Sequence, residues 1–346
     1  MHVGNERPEC PALKVQSKHM LIISSEKYLG DILANDGKIE ENLKARNSKG
    51  IGIKNQIMGL LKEISVGQFF FEMAMLFRTS QLINGTMYNM ESLHGIKAKH
   101  LDTIEECDKF LMRELFECPQ GTPIEAFYME TSAIPLRFIL TGRRILYYWT
   151  ILNKPGSELV KQVFEAQKEF ETNDSWVKQV ENDLRTCEID LKEEDIKKLS
   201  QYKIKKLVAN KIRIKTDEYL LKLKNSHTKT ENLYTSDEMQ EYLKTDQLTR
   251  SEKILLFKLR TRMADLKGNF SESHRGNLHC ELCKDESEDE TQRHLLQCTF
   301  VVNHPEVGPE VQQIKYDDIF SDLASQVKAV KIWKKILNVR KLQLKK

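Results

Sequence analysis

Residues 280–298 read Cys280-Glu281-Leu282-Cys283-Lys284-Asp285-Glu286-Ser287-Glu288-Asp289-Glu290-Thr291-Gln292-Arg293-His294-Leu295-Leu296-Gln297-Cys298, a C-x2-C-x10-H-x3-C arrangement of soft metal ligands in a chain with seven cysteines. Tetrahedral Zn2+ takes thiolate sulfur at about 2.3 Å and imidazole nitrogen at about 2.0 Å. A C-x2-C turn offers two sulfurs to one ion before the chain loops out and returns with the second pair. The intervening loop, 284–293, carries Asp285, Glu286, Glu288, Asp289 and Glu290 and almost nothing apolar. Such a loop lacks the material for a core of its own, so a metal is the organiser its composition calls for. His279 and His304 are close enough in sequence to replace a named ligand. The same residues admit a metal-free reading, in which the thiols are free and His294 and Cys298 share a helical face. The spacing predicts a zinc knuckle at 276–300, with Cys280, Cys283, His294 and Cys298 holding Zn2+ as the cofactor.

Outward from this segment the chain reads as mainly α. Apolar residues recur at helical intervals at 39–64, 68–89 and 97–116. Pro119, Gly121 and Pro123 break the pattern, and a helix is expected from about Pro135, a residue suited to a first turn, to Leu152. Pro155-Gly156 ends it. Further helices are expected at about 157–170, 174–186, 192–226, 236–246 and 249–267, mostly charged with narrow apolar stripes, which suggests an extended arm. A last helix at about 321–343 sets Leu323, Val327, Val330, Trp333 and Leu337 on one side. Only the opening segment reads as extended, with Ile22-Ile23, then Tyr28 to Leu33, then a turn at 35–38.

A chain of 346 residues with 40% hydrophobic content suggests two domains. Its 54 basic and 51 acidic residues nearly cancel, so net charge selects no partner, but basic residues concentrate locally. Residues 201–225 hold eight Lys or Arg against Asp217 and Glu218, and 328–346 hold eight against none. Such runs can track phosphate backbones, as can Arg137, Arg143 and Arg144, although a solvated helix face is the ordinary reading of a lysine run. Tyr147, Tyr148 and Trp149 offer rings for stacking, yet consecutive aromatics on a helix face different ways, so at least one enters the core. The terminal helix with Trp333 fits RNA, an acidic membrane surface or a partner helix equally well. No apolar run approaches the roughly 20 residues needed to cross a bilayer, and no signal peptide opens the chain. The odd cysteine count points to a reducing interior, nuclear or cytoplasmic. Gly50-Ile51-Gly52 lacks both the third glycine of a dinucleotide loop and a Walker Lys-Thr.

Glu26-Lys27-Tyr28-Leu29-Gly30-Asp31-Ile32-Leu33-Ala34-Asn35-Asp36-Gly37-Lys38 resembles the stretch that closes the palm of LINE-type (non-LTR) retrotransposon reverse transcriptases. Thr122-Pro123-Ile124-Glu125-Ala126-Phe127-Tyr128-Met129-Glu130, Ile134-Pro135-Leu136-Arg137 and Arg143-Arg144-Ile145-Leu146-Tyr147-Tyr148 resemble the region after the thumb, and the knuckle falls where that family carries one. The resemblance covers most of 20–300. It implies a palm remnant at 1–38, with Tyr28, Leu29 and Gly30 as primer grip, a thumb-like helical domain at 39–153 and a helical linker arm at 157–270. The knuckle and a basic C-terminal helix at 301–346 would follow. It also implies RNA and DNA as partners, with Arg137, Arg143, Arg144, Lys203, Lys205 and Lys206 as candidate contacts, in RNA-directed DNA synthesis by target-primed reverse transcription.

The chain departs from that family where catalysis would lie. Paired palm aspartates are needed to hold two divalent metals, yet the 27 residues before Tyr28 contain no aspartate. Tyr316-Asp317-Asp318 lacks the intervening residue of the aromatic-x-Asp-Asp motif and reads better as a helix cap. Only 48 residues follow Cys298, too few for a nuclease fold. The expectation is therefore a fragment that binds nucleic acid but does not polymerise, with Mg2+ entering only through a palm supplied elsewhere. The alternative is a non-enzymatic helical interaction protein derived from such an element, with a structural zinc.

Overall fold

The computed structural model describes residues 14–15, 18–19, 24–28, 31–34, 38–63, 67–169, 175–270 and 276–345. The chain is mainly helical, at 66% helix. Among the described residues strands occur only near the N-terminus. Lys14–Val15 pairs with Lys18–His19, and Ser25–Tyr28 runs antiparallel to Asp31–Ala34 in the register Ser25↔Ala34 to Tyr28↔Asp31. Ile22 and Ile23, read as a strand, lie outside the described residues. Among the described residues, no helix is long and apolar enough to cross a membrane.

Two compact units emerge, each assembled from three chain segments: 1–56, 78–110 and 135–215 form the first, and 57–77, 111–134 and 216–346 the second. The 157–270 stretch, read as an extended arm, supplies core residues to both: Phe164, Val180, Ile204 and Val208 in the first, Tyr242, Leu256 and Phe257 in the second. Narrow stripes suffice when each meets a partner of its own unit.

In the first unit Leu43, Ile83, Met87, Met90, Ile104, Leu136 and Leu140 pack together. Arg46 threads this core, donating to the carbonyls of Thr86 at 3.0 Å and Tyr88 at 2.6 Å. It also meets Asp31, whose carboxylate accepts from Asn42 at 3.0 Å and Asn89 at 3.1 Å. Despite the cost of burial, these donors hold the Asp31 pKa below the usual carboxylate value. The hairpin is thereby tied to helix Glu40–Glu63 by the aspartate that follows the Tyr-Leu-Gly stretch.

Gly50 lies inside that helix, not in a loop. A Cβ there would sit 2.6 Å from Cys107 Sγ and 2.7 Å from Thr86 Cγ2, whereas at Gly52 it would meet nothing within 4 Å. Gly50→Ala is therefore expected to lower stability by about 1–3 kcal/mol through overpacking. Gly52→Ala should raise it by about 0.5–1 kcal/mol through helix propensity. Urea unfolding of the two variants checks the opposite signs.

The second unit centres on Phe71, Phe116, Phe127 and Phe257, with ring centroids 4.1 Å apart for Phe116–Phe257 and 5.1 Å for Phe127–Phe257. Helix Arg250–Arg260 starts at a capping box, Thr249 Oγ1 accepting from Glu252 N and Glu252 Oε2 from Thr249 N. Helix Leu323–Gln343, capped by Asp322, packs on it. Trp333 is 0% exposed, with Ala329, Val330, Ile332, Ile336 and Val339 also buried, so the apolar side of this helix is core while Lys328, Lys331, Lys334 and Lys335 stay exposed.

Several helix boundaries differ from expectation. The helix expected at 192–226 breaks into Glu193–Lys198 and Gln201–Lys224, Ser200 Oγ accepting from Lys203 N at 3.4 Å to start the second. The helix expected at 236–246 shrinks to Glu241–Lys244, and that at 249–267 to Arg250–Arg260. Ile124–Thr131 is helical where only a break was expected, Pro123 at its N-cap. The 68–89 helix contains a π-helical turn at Arg78–Ile83. Its wider turn rotates the apolar face, burying Arg78 against Asp108, the bonds 2.7 and 2.8 Å long. Phe69, Leu76 and Ile51 are exposed although they fall on the apolar repeat.

Candidate metal centre

The ligand atoms of Cys280, Cys283, His294 and Cys298 all lie within 4.8 Å of one another. An antiparallel bridge, His279↔Asp289, brings the first pair back toward the loop, with Cys280 N donating to Glu288 O and Glu290 N to Leu278 O, both at 2.9 Å. Lys284, at φ 58°, closes the C-x2-C turn by donating to Cys280 O at 3.0 Å. Thr291 Oγ1 accepts from His294 N at 3.1 Å and starts the short helix Gln292–Leu295 that carries the imidazole. Cys298 precedes Thr299–Val302 as its N-cap.

The spacing fits one tetrahedral ion. Zinc bond lengths set sulfur–sulfur separations near ~3.8 Å and sulfur–nitrogen separations near ~3.6 Å. Cys280 Sγ lies 3.9 Å from Cys298 Sγ, and Cys283 Sγ 3.4 Å from His294 Nε2. The other ring nitrogen, Nδ1, faces Glu288 Oε2 at 3.4 Å. A carboxylate on the far nitrogen fixes the tautomer that leaves Nε2 free to coordinate. Neither His279 nor His304 enters the cluster: His279 Nδ1 stands 3.9 Å from Asp289 and His304 Nδ1 accepts from Glu306 N.

Burial pushes the Cys280 thiol up to about 12, with the Cys298 and Cys283 sulfurs adding, and burial also raises Cys298. Working the other way, the backbone N–H groups of Cys283 and Leu282 donate to the Cys280 sulfur, and those of Val301 and Phe300 to Cys298. Sulfurs gathered in a buried place and met by N–H donors suit thiolates that a dication neutralises. Four protein ligands close the coordination shell, leaving no position for water, so a zinc held here would be structural and supply folding energy.

The loop is not left to the metal alone, as its acidity suggested. Glu290 is 0% exposed and takes the Arg340 guanidinium on both oxygens, at 2.8 and 2.6 Å, while Oε2 also accepts from Lys267 N at 3.0 Å. Gln292 Nε2 donates to Leu259 O at 3.0 Å, and Leu282 and Leu295 are buried. Glu290 looks like one of five solvated acids in sequence; its arginine stands 50 residues away.

The other candidate residues fall in the first unit and are not equivalent. Arg137 donates to Glu105 at 2.8 and 2.6 Å and to Asp102 at 2.8 Å. Arg143 donates to Met87 O and to Asn84 Oδ1, and buried Arg144 to Asp183 Oδ2 at 2.6 Å. Burial nevertheless raises the Asp183 pKa. Lys203, Lys205 and Lys206 are exposed on helix Gln201–Lys224 and meet no carboxylate among the described residues. Tyr148 is buried, Tyr147 packs edge-on against Trp176 at 5.7 Å, and Trp149 Nε1 donates to Leu199 O at 3.1 Å. Of the primer-grip residues, Tyr28 ends a strand, while Leu29 and Gly30 lie outside the described residues. Tyr316-Asp317-Asp318 forms a 3-10 turn whose N-cap is Lys315; Asp318 sits at N3 and accepts from Lys315 N at 2.8 Å, so it supports the turn from within where an N-cap was expected. A scan against family models and searches of curated proteins and of solved structures found no match to this chain.

Proposed function

We propose that this chain is the nucleic-acid-binding C-terminal portion of a LINE-type reverse transcriptase, serving target-primed reverse transcription in a reducing nuclear or cytoplasmic setting. The observation that carries the reading is the Cys280, Cys283, His294, Cys298 cluster, whose ligand atoms converge at zinc spacing within a C-x2-C-x10-H-x3-C sequence. On this reading the knuckle contacts element RNA or target DNA and the exposed lysines at 203, 205 and 206 hold phosphates. The end of the Ser25–Tyr28 and Asp31–Ala34 hairpin would seat the primer terminus. The sequence contains no aromatic-x-Asp-Asp, so the chain's own role is to bind, and Mg2+ chemistry belongs to a palm that carries those aspartates.

A second reading, a helical interaction protein in which zinc only pins the C-terminal region, draws support from the internal partners of the arginines. Arg137, Arg143 and Arg144 are consumed within the first unit, and Glu290–Arg340 anchors the knuckle inside the second. Binding of the zinc-loaded chain to labelled RNA and to a DNA–RNA hybrid across a salt series separates the two. Submicromolar affinity that falls as salt rises, and falls further in Cys283→Ser, is expected of the reverse-transcriptase reading. No binding of either nucleic acid at low salt would sink it and leave the interaction protein.

A further inference from the structure

Helix Gln201–Lys224 turns Ile204, Val208 and Ile212 into the first unit's core, which fixes what faces out. On the outer side Tyr202, Lys205, Lys206, Ala209 and Asn210 follow at i, i+3, i+4, i+7 and i+8, all exposed, with Lys203 beside them. Tyr202 is 73% exposed, Lys203, Lys205 and Lys206 are exposed on the same helix, and between 202 and 210 no large apolar side chain shares that face. From Tyr202 to Asn210 the face runs about 12 Å. On the short helix Glu193–Lys198 just before it, Glu193 pairs with Lys168 at 3.0 Å and Asp195 with Lys198 at 3.5 Å, while Glu194 is exposed.

We propose that Tyr202, Lys203, Lys205 and Lys206 form a binding platform for single-stranded nucleic acid, the tyrosine ring stacking on a base while the lysines hold the flanking phosphates. The inference rests on the nucleic-acid reading above and deepens it by naming a surface and a strand state. A ring projecting from a basic face finds its complement in an unstacked base, because a duplex hides its base faces and offers only the backbone. The alternatives fit less well. A protein hot spot surrounds its aromatic with packed neighbours, and a membrane-surface helix needs several apolar residues on one side, whereas this face has lysine, alanine and asparagine. Arg137 and Arg144 of helix Leu136–Leu152 are paired to carboxylates and Arg143 is bound to Asn84 and the Met87 carbonyl, whereas on this face exposed lysines without carboxylate partners stand on the same side as an exposed ring.

The test uses the full chain with zinc and three labelled probes: a short oligouridine, an oligothymidine of equal length, and a blunt RNA duplex. Tyr202→Ala is expected to weaken oligouridine binding roughly 10-fold or more while changing duplex binding less than about 2-fold, and Tyr202→Phe should keep native affinity. The double variant Lys205→Ala/Lys206→Ala should weaken every probe and lower the salt slope by about 1 per lysine. Because Tyr202 is exposed, a native circular dichroism spectrum is expected of its variants. Unchanged oligouridine affinity in Tyr202→Ala, or a wild-type preference for duplex, overturns the platform. If salt-dependent duplex binding and its loss in Cys283→Ser persist alongside that result, the proposed function stands without it. Absence of binding to every probe defeats both.

Discussion

Chelation of a metal bound here, or Cys283→Ser, is expected to loosen residues 276–300 and open their backbone to exchange while leaving the first unit's amide protection intact. The four ligands come from a bridge, a turn and two short helical starts, and no one of these is stable alone in water. Isolated zinc-finger peptides draw about 10–16 kcal/mol of apparent folding energy from the ion. Only part of that should be lost here, because Arg340–Glu290 and Gln292–Leu259 still hold the loop from outside the ligand set. Hydrogen exchange with and without chelator gives the answer: the amides of Lys284, Glu290 and His294 should lose protection, together with a fall in thermal midpoint. Unchanged exchange at those amides would mean that the fold of this segment does not depend on a metal.

Glu130→Ala should destabilise the second unit by about 3–5 kcal/mol, the cost of leaving a buried charge without its partner. Arg260 is 0% exposed on its side chain, donates Nε to Glu130 Oε1 at 3.0 Å and Nη1 to Ile319 O at 2.7 Å, and lies near the rings of Tyr242 and Phe320. Burial alone would lower its pKa, but Glu130 and its surroundings raise it, so the guanidinium stays charged and has nowhere to shed that charge. Replacing both partners, as Glu130→Leu/Arg260→Met, should recover much of the loss, since a buried pair exchanged for apolar groups of similar volume is often neutral or better. Urea unfolding of the single and double variants gives the coupling directly. A single-variant loss under about 1 kcal/mol, the range of an exposed pair, would contradict this role.

Local chemistry was legible in the sequence, and long-range pairing was not. The Cys280, Cys283, His294, Cys298 cluster and the helices Leu136–Leu152 and Leu323–Gln343 follow from spacing and from Pro135, all short-range signals. The break between Lys198 and Gln201 carries neither glycine nor proline and depends on one serine side chain, which periodicity does not register. Helix Ile124–Thr131 was hidden because the Pro119-Gly121-Pro123 cluster reads as a break, although proline is well suited to precede a helix. The arginines were legible as charge but not as bound charge: Glu105 lies 32 residues from Arg137, and Asp183 lies 39 from Arg144. Glu290 and Arg340 show the same limit at the metal centre. Tyr202 was readable as an aromatic beside lysines, yet only the burial of Ile204 and Val208 reveals that its ring faces outward.

The most direct test of the metal centre is X-ray absorption at the zinc edge on purified chain, combined with metal analysis. One zinc per chain, with three sulfur scatterers at about 2.3 Å and one nitrogen at about 2.0 Å, is the expected result. Protein that is folded and free of zinc, or zinc surrounded by oxygen and nitrogen alone, would contradict the assignment of Cys280, Cys283, His294 and Cys298 as its ligands.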